Sequence, residues 1–350
     1  MAQEHGVRTE TLGEAEEAPA MARNVREGLL ATPKDLSPWP KYFYDAEGSR
    51  LFEEITSLPE YYQARTEFSI LQEKAGEIVA QTRCRELVEL GPGSANKAHA
   101  LLDAMLDANR SNGSNQSGGA GIPARYVPFD VSEDALRASV ERVLDKNPTL
   151  EVAGFAGDFE RSLGEVLGEP RDPVPGRLVI FLGGTIGNFA PERRRSFLSE
   201  VRAGLRPGDH FLVGVDLVKD RETLEAAYND SAGITARFNK NLLKVLNENL
   251  GGTFDLGLFT HRAFYEARKS RIEMWLYSTI QQTVAIRKLN FEVCFGAGEG
   301  MRTEISTKFT RESAEGMLAE AGFAPVRWYT DEKELFGLAL GRAGVHTEEE

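Results

Sequence analysis

Short apolar runs that each end in a glycine or an acid, with a helix-periodic stretch after most of them, constrain this chain more than any other feature. Leu87-Val88-Glu89-Leu90 runs into Gly91-Pro92-Gly93-Ser94, and helical spacing follows over 95–106. Tyr126-Val127-Pro128-Phe129-Asp130 precedes a helical stretch at 135–144, and 150–155 reads as a third strand. Residues 177–182 meet Gly183-Gly184-Thr185-Ile186-Gly187-Asn188 before a helix at 193–205, and 210–216 reads as a fifth strand. Strands alternating with helices at this spacing form βαβ units, and hence a mostly parallel sheet. Ligands of open α/β sheets bind outside the carboxyl ends of the strands, where these turns lie.

Upstream, Phe68, Ile70, Leu71, Ala75, Ile78 and Val79 place a helix over 67–80. After Asp220 the pattern changes. Helices are expected at 221–228 and 236–249, the second closed by Gly251-Gly252, followed by long antiparallel strands over 271–286 and 289–295. A helix at 312–321 and a strand at 336–340 complete the reading, so the middle segment looks like an added α+β module. The acidic residues 1–22, the Asn/Ser/Gly/Ala tract 109–121 and the acidic tail 344–350 are expected to be mobile.

Charge narrows the partners. With 54 Asp and Glu against 41 Lys and Arg, the net charge is −13, which argues against a groove tracking nucleic-acid phosphates. A small molecule is the expected partner. The aliphatic runs are too short for a membrane span and the N-terminus carries no signal-peptide pattern, so a cytoplasmic protein is expected, and it is taken to be a monomer. Cys84 and Cys294 read as buried inert thiols, and five scattered histidines offer no metal site.

The turns carry the chemistry. Gly91 and Gly93 allow close backbone approach to a ligand, although Asn96 stands where a dinucleotide fingerprint wants its third glycine. Asp130, ending the next strand, can take both hydroxyls of a ribose. Asp158-Phe159 after the third strand can meet an adenine amine and ring, and together these favour S-adenosylmethionine over a dinucleotide; a helix N-cap is the plainer role for Asp158. Asn188 can hold an amine without protonating it, unless 183–188 is simply a glycine-rich turn.

Longer segments are more specific. Phe43-Tyr44-Asp45, Leu58-Pro59-Glu60-Tyr61-Tyr62, 126–132, 181–188, Ala227-Tyr228-Asn229-Asp230, Phe238-Asn239, Arg271-Ile272-Glu273-Met274 and 298–306 occur in this order. Through them the chain resembles, from Tyr42 to Gly341, the histidine Nα-methyltransferases of ergothioneine biosynthesis. That resemblance implies a Rossmann-like class I methyltransferase core (65–218 and 309–343) with a second, α+β substrate-binding domain (23–64 and 219–308). It implies S-adenosylmethionine contacts at Tyr44, Gly91, Lys97, Asp130, Asp158 and Phe159. Asn188 and Tyr228 would meet the amino acid's amine and carboxylate, Tyr61, Met274, Glu304 and Ser306 would surround its imidazole, and Gly183 and Ile305 would also bind the substrate. Two departures from the family pattern stand out, the loop 92–96 and the tract 109–121.

The residues agree with that pocket. Glu304 and Ser306 are two apart, so on an extended segment both face one way, and a carboxylate with a hydroxyl suits an imidazole's two nitrogens. The implied reaction is three successive methyl transfers to the α-nitrogen of L-histidine, through its mono- and dimethyl forms, giving hercynine. Asn188 would position the amine, with Tyr61 or water passing on its proton. The alternatives are an Nα-methyltransferase for another amino acid, or a non-catalytic protein that keeps the methyltransferase fold.

Overall fold

The structure is a computed structural model and describes residues 7–12, 17–93, 97–113, 124–148, 150–168 and 176–344. The chain opens with β1 (Val7–Thr11), α1 (Glu17–Leu30) and β2 (Lys34–Asp35). A 3-10 turn at Pro40–Phe43 leads into α2 (Ala46–Thr56), whose N-cap Asp45 accepts from the Gly48 N–H at 2.7 Å. Then follow α3 (Tyr62–Thr82), β3 (Glu86–Leu90), α4 (Ala98–Gly113), β4 (Arg125–Asp130), α5 (Glu133–Lys146), β5 (Glu151–Ala156) and α6 (Phe159–Gly168). The alternation continues with β6 (Arg177–Phe181), a 3-10 turn at Thr185–Asn188, α7 (Pro191–Ala203) and β7 (His210–Asp216).

The second half holds α8 (Arg221–Ala226), α9 (Ile234–Leu250), β8 (Phe259–Glu266), β9 (Arg271–Ser278), β10 (Gln282–Ile286), β11 (Phe291–Phe295) and β12 (Gly300–Thr307). It closes with α10 (Arg311–Glu320), β13 (Phe323–Thr330) and β14 (Phe336–Ala343).

Eight strands form the large sheet in the order β1-β5-β4-β3-β6-β7-β14-β13. The first six run parallel, while β14 lies antiparallel to both β7 and β13. Chain order reverses between β3 and β6, which creates the crevice where such sheets bind ligands. Strand alternation sorts the core into two layers. Leu87, Tyr126, Val152 and Leu178 pack with Ile70, Leu101 and Val140 of α3, α4 and α5. Val88, Phe129, Phe155 and Phe181 pack on the opposite face with Leu163, Leu198 and Leu318 of α6, α7 and α10.

A four-stranded sheet, β2-β12-β9-β8, and the β10-β11 hairpin make the smaller layer. Its core joins Val25 of α1, Leu51 of α2 and Leu242 of α9 to Met274, Leu276 and Met301.

Several expectations need correcting. Within the acidic lead, Val7–Thr11 is a strand paired with Val152–Ala156, because an edge of the large sheet offers it backbone partners. In the tract 109–121, residues 109–113 continue α4, while 114–121 lie outside the described residues, as do 94–96 of the loop 92–96 and 345–350 of the tail. The run 271–286 is two strands in different sheets. The chain turns after Ser278, whose hydroxyl donates to the Ile280 carbonyl at 2.8 Å. The next strand starts at Phe291, not at 289, after a left-handed Asn290. Cys84 is buried, but Cys294 is exposed on the outward side of the hairpin. No helix among the described residues is long and apolar enough to cross a membrane.

Candidate active site

Between the carboxyl edge of the large sheet and the smaller sheet lies a pocket. Its walls include Tyr44, Phe52, Tyr61, Gly183, Asn188, Asp216, Tyr228, Phe238, Met274, Glu304 and Ser306. Six separate stretches of sequence meet there.

The first wall is β12 against β9. Met274 and Glu304 are direct cross-strand partners, and Ile272 opposes Ser306. A register shift between Arg302 and Glu304 leaves Thr303 as an extra residue, its hydroxyl donating to the Met274 carbonyl at 3.1 Å. Such a bulge reverses the alternation across it. Arg302 therefore turns outward to Asp35 and Glu273, while Glu304 turns into the pocket. Ile305, expected to bind the substrate, is buried, and its side chain alternates to the opposite face from its two pocket-lining neighbours.

The second wall is the turn after β6. Gly183 and Gly184 adopt φ of 83° and 68°, the left-handed region. A side chain on Gly187 would sit 2.7 Å from the Thr307 carbonyl, so the missing Cβ lets this turn press against the end of β12. Asn188 then ends the 3-10 turn at the pocket rim.

Aromatic rings close the remainder. Tyr61 sits at the N-cap of α3, 6.4 Å from the Tyr228 ring and 6.2 Å from Phe52, both edge-on. Burial, reinforced by Tyr228, Tyr44 and Glu304, pushes the Tyr61 phenol well above its ordinary pKa, so it acts as a neutral hydroxyl. Tyr44, expected at the cofactor, lines this same pocket. Burial, then the negative charges of Glu304 and Asp130, push its phenol up.

The electrostatic floor went unanticipated in the sequence. Lys308 has a fully buried side chain whose ammonium donates to Asp216 at 2.8 Å, Tyr228 at 2.9 Å and Ser306 at 2.8 Å. Asp216 also takes Lys219 at 2.6 Å and the Tyr62 hydroxyl at 2.8 Å. Burial works against ionising Asp216, yet the two lysines hold its carboxyl below the usual range. Glu304 is different. Burial raises its pKa to about 7, opposed only in part by the Lys308 charge. Among the described residues no donor hydrogen-bonds its carboxylate. The missed residues carry a faint signal, since Asp216 ends the fifth strand at the sheet's carboxyl edge and Lys308 continues the Glu304/Ser306 alternation by one step.

Cofactor-side residues lie along the same edge. Gly91 ends β3 with φ of 72°, and its N–H donates to the Phe129 carbonyl at 2.8 Å. Asp130 is buried at the end of β4, accepting from the Gly93 N–H at 3.2 Å and the Ser132 N–H at 2.9 Å. Burial raises its pKa, with those N–H groups opposing. Among the described residues, nothing stands within 4 Å of where a Cβ on Gly93 would lie. The arrangement fits the ribose of an adenosine group.

Lys97 does not stand alone beside it. Its ammonium pairs at 2.5 Å with Glu67, a wholly buried carboxylate that also accepts the Gly183 N–H at 2.8 Å. Glu67 thus ties the β3 turn to the β6 turn, and it too was missed. Asp158 pairs with Lys41 from the 3-10 turn at Pro40–Phe43, so the smaller layer reaches over to the end of β5. Phe159 opens α6, and its side chain lies outside the described set.

A doubly wound sheet with a ribose-type carboxylate at one strand end, facing a separate polar and aromatic pocket, defines the Rossmann-like enzymes that bring a nucleoside cofactor to a small molecule. The chain belongs to the family of histidine-specific, S-adenosylmethionine-dependent methyltransferases, whose family model matches residues 21–343. It is 46% identical over 323 residues to a histidine N-alpha-methyltransferase of Mycolicibacterium smegmatis, covering 92% of this chain and 95% of that one. The corresponding protein of Mycobacterium tuberculosis is 43% identical over 329 residues, with 94% and 97% covered. Ergothioneine biosynthesis protein 1 of Schizosaccharomyces pombe is 30% identical over 244 residues, which span 64% of this chain and 30% of that longer protein.

Proposed function

We propose that this enzyme trimethylates the α-amino group of L-histidine to hercynine, the first step of ergothioneine biosynthesis, acting as a cytoplasmic monomer that engages no nucleic acid. One observation carries the substrate assignment: a buried carboxylate with no partner among the described residues (Glu304) and a hydroxyl (Ser306) face one pocket from the same strand. Buried polar groups left unpaired cost about 1–3 kcal/mol, so a ring that satisfies both is strongly preferred over one that does not. The share of each chain matched by the two mycobacterial relatives supports the same substrate.

In this reading the large sheet is the cofactor-binding unit and the smaller layer the substrate unit. Bound S-adenosylmethionine supplies a methyl carbon already activated on a sulfonium, so the protein contributes mainly position. Asp130 and the Gly91–Gly93 turn hold the ribose end, and Asp158 with Phe159 the adenine. Lys97 acts through its pairing with Glu67, fixing Gly183 beside the reacting centre. Asn188 holds the amine and carboxylate of histidine, and Tyr228 turns toward the amine the one lone pair that its bonds with Lys308 and Ser306 leave it. Tyr61 borders the amine as a neutral hydroxyl, able to donate a hydrogen bond and to pass a proton only by exchange with another group. Met274 packs on the ring. As each methyl replaces an N–H, the amine loses donors, and the edge-on faces of Tyr61, Phe52 and Tyr228 can accommodate the growing, apolar, cationic head.

The test is product analysis by mass spectrometry from purified protein, S-adenosylmethionine and an equimolar mixture of the common amino acids. Histidine alone should gain three methyl groups. Methylation of another amino acid instead would keep the fold and cofactor and overturn the pocket assignment.

A further inference from the structure

Lys308 lies just beyond β12, behind the pocket wall rather than on it, and has no exposed side-chain surface. Its ammonium has three protons, and the structure gives it three acceptors: Asp216, Tyr228 and Ser306. The Tyr228 hydroxyl in turn donates to Ser306 Oγ at 2.9 Å. A serine hydroxyl has two lone pairs and one proton. Both lone pairs of Ser306 are thereby occupied, one by Lys308 and one by Tyr228. What remains for the pocket is its proton.

We propose that Lys308 is a positioning residue that fixes Ser306 as a hydrogen-bond donor, so that the site reads the substrate ring as one bare nitrogen facing Ser306 and one N–H facing Glu304. The inference rests on the histidine assignment above and sharpens it: the ring form selected is the neutral imidazole in a single tautomer. A ring protonated on both nitrogens would point an N–H at the Ser306 proton, with an ammonium directly behind it. A ring carrying N–H at one position and CH at the other would leave the Ser306 donor unpaired.

The experiment compares L-histidine with the two pyrrolylalanine isomers, each of which replaces one ring nitrogen by CH and keeps an N–H at the other position. Full-length enzyme with saturating S-adenosylmethionine is assayed as wild type, Lys308→Met, Ser306→Ala and the double variant. In the wild type, kcat/KM should favour histidine over either isomer by about a hundredfold. Lys308→Met, which frees Ser306 to turn and accept, should raise the histidine KM about tenfold with little change in kcat, and narrow the preference for histidine about tenfold. Ser306→Ala should narrow that preference by a similar factor, and adding Lys308→Met to it should narrow the preference no further.

A uniform loss of kcat/KM across histidine and both isomers in Lys308→Met would mark a structural role only and overturn the proposal. If Lys308→Met does not fold, an unchanged preference in Ser306→Ala overturns it equally. A wild type that methylates histidine while showing no preference over the isomers defeats this inference alone. A wild type that leaves histidine unmethylated defeats the function assignment along with it.

Discussion

Glu304 joins burial, charge and recognition in one side chain. Its carboxyl has a pKa of about 7 in the folded protein against an ordinary 4.5. Between those values folding takes up a proton, so the residue's contribution to stability falls as pH rises through that window. Replacing it by Gln removes the dependence. Relative to wild type, ligand-free Glu304→Gln should gain up to about 3 kcal/mol of stability between about pH 5 and about pH 8, measured by urea unfolding at each pH. The same substitution should lower kcat/KM for histidine at least about tenfold, since a charged acceptor becomes a neutral one. A pH-independent difference in stability would mean that Glu304 is already solvated or paired in the free enzyme.

At the scale of elements, the meeting of the β6 turn with β12 brings Asn188 and Glu304 to one pocket. That contact depends on Gly187, where an added Cβ would lie 2.7 Å from the Thr307 carbonyl. Gly187→Ala should cost about 1–3 kcal/mol in thermal or denaturant unfolding and raise the histidine KM, because the turn must lift away from the strand. Unchanged stability would show that the strand end yields freely. These elements also show what the sequence made legible. The β3, β4, β6 and β7 turns were readable because period, glycine and terminal acids agree locally. The bulge at Thr303 was not, since its effect appears only once β12 is paired with β9. Ile305 needed no register, since the alternation that turns Glu304 and Ser306 one way turns it the other. By contrast, β1 needed an edge of the large sheet that its own five residues do not announce.

Over the whole molecule, Asp216 fastens the two layers together. It ends β7 of the large sheet, binds Lys308 beyond β12 of the smaller one, and holds Lys219 and Tyr62 as well. Asp216→Asn would leave two buried ammonium groups without their counter-charge and should destabilise the protein by about 3–5 kcal/mol. The two lysines depress its folded pKa, so this stabilisation is present above the unfolded carboxyl value and disappears as pH falls through the lower folded one. The gap between wild type and Asp216→Asn should therefore shrink below about pH 4, as urea unfolding across the acid range would reveal. Buried ion networks that span two layers leave little trace in a sequence, because their members are far apart and each looks like an ordinary surface charge. The central claim, trimethylation at the α-nitrogen, is tested most directly by tandem mass spectrometry of the product formed from histidine and methyl-deuterated S-adenosylmethionine. The pocket predicts three labelled methyls that leave together as labelled trimethylamine, with the imidazole unlabelled. Label on the ring, or none on the α-nitrogen, would contradict it.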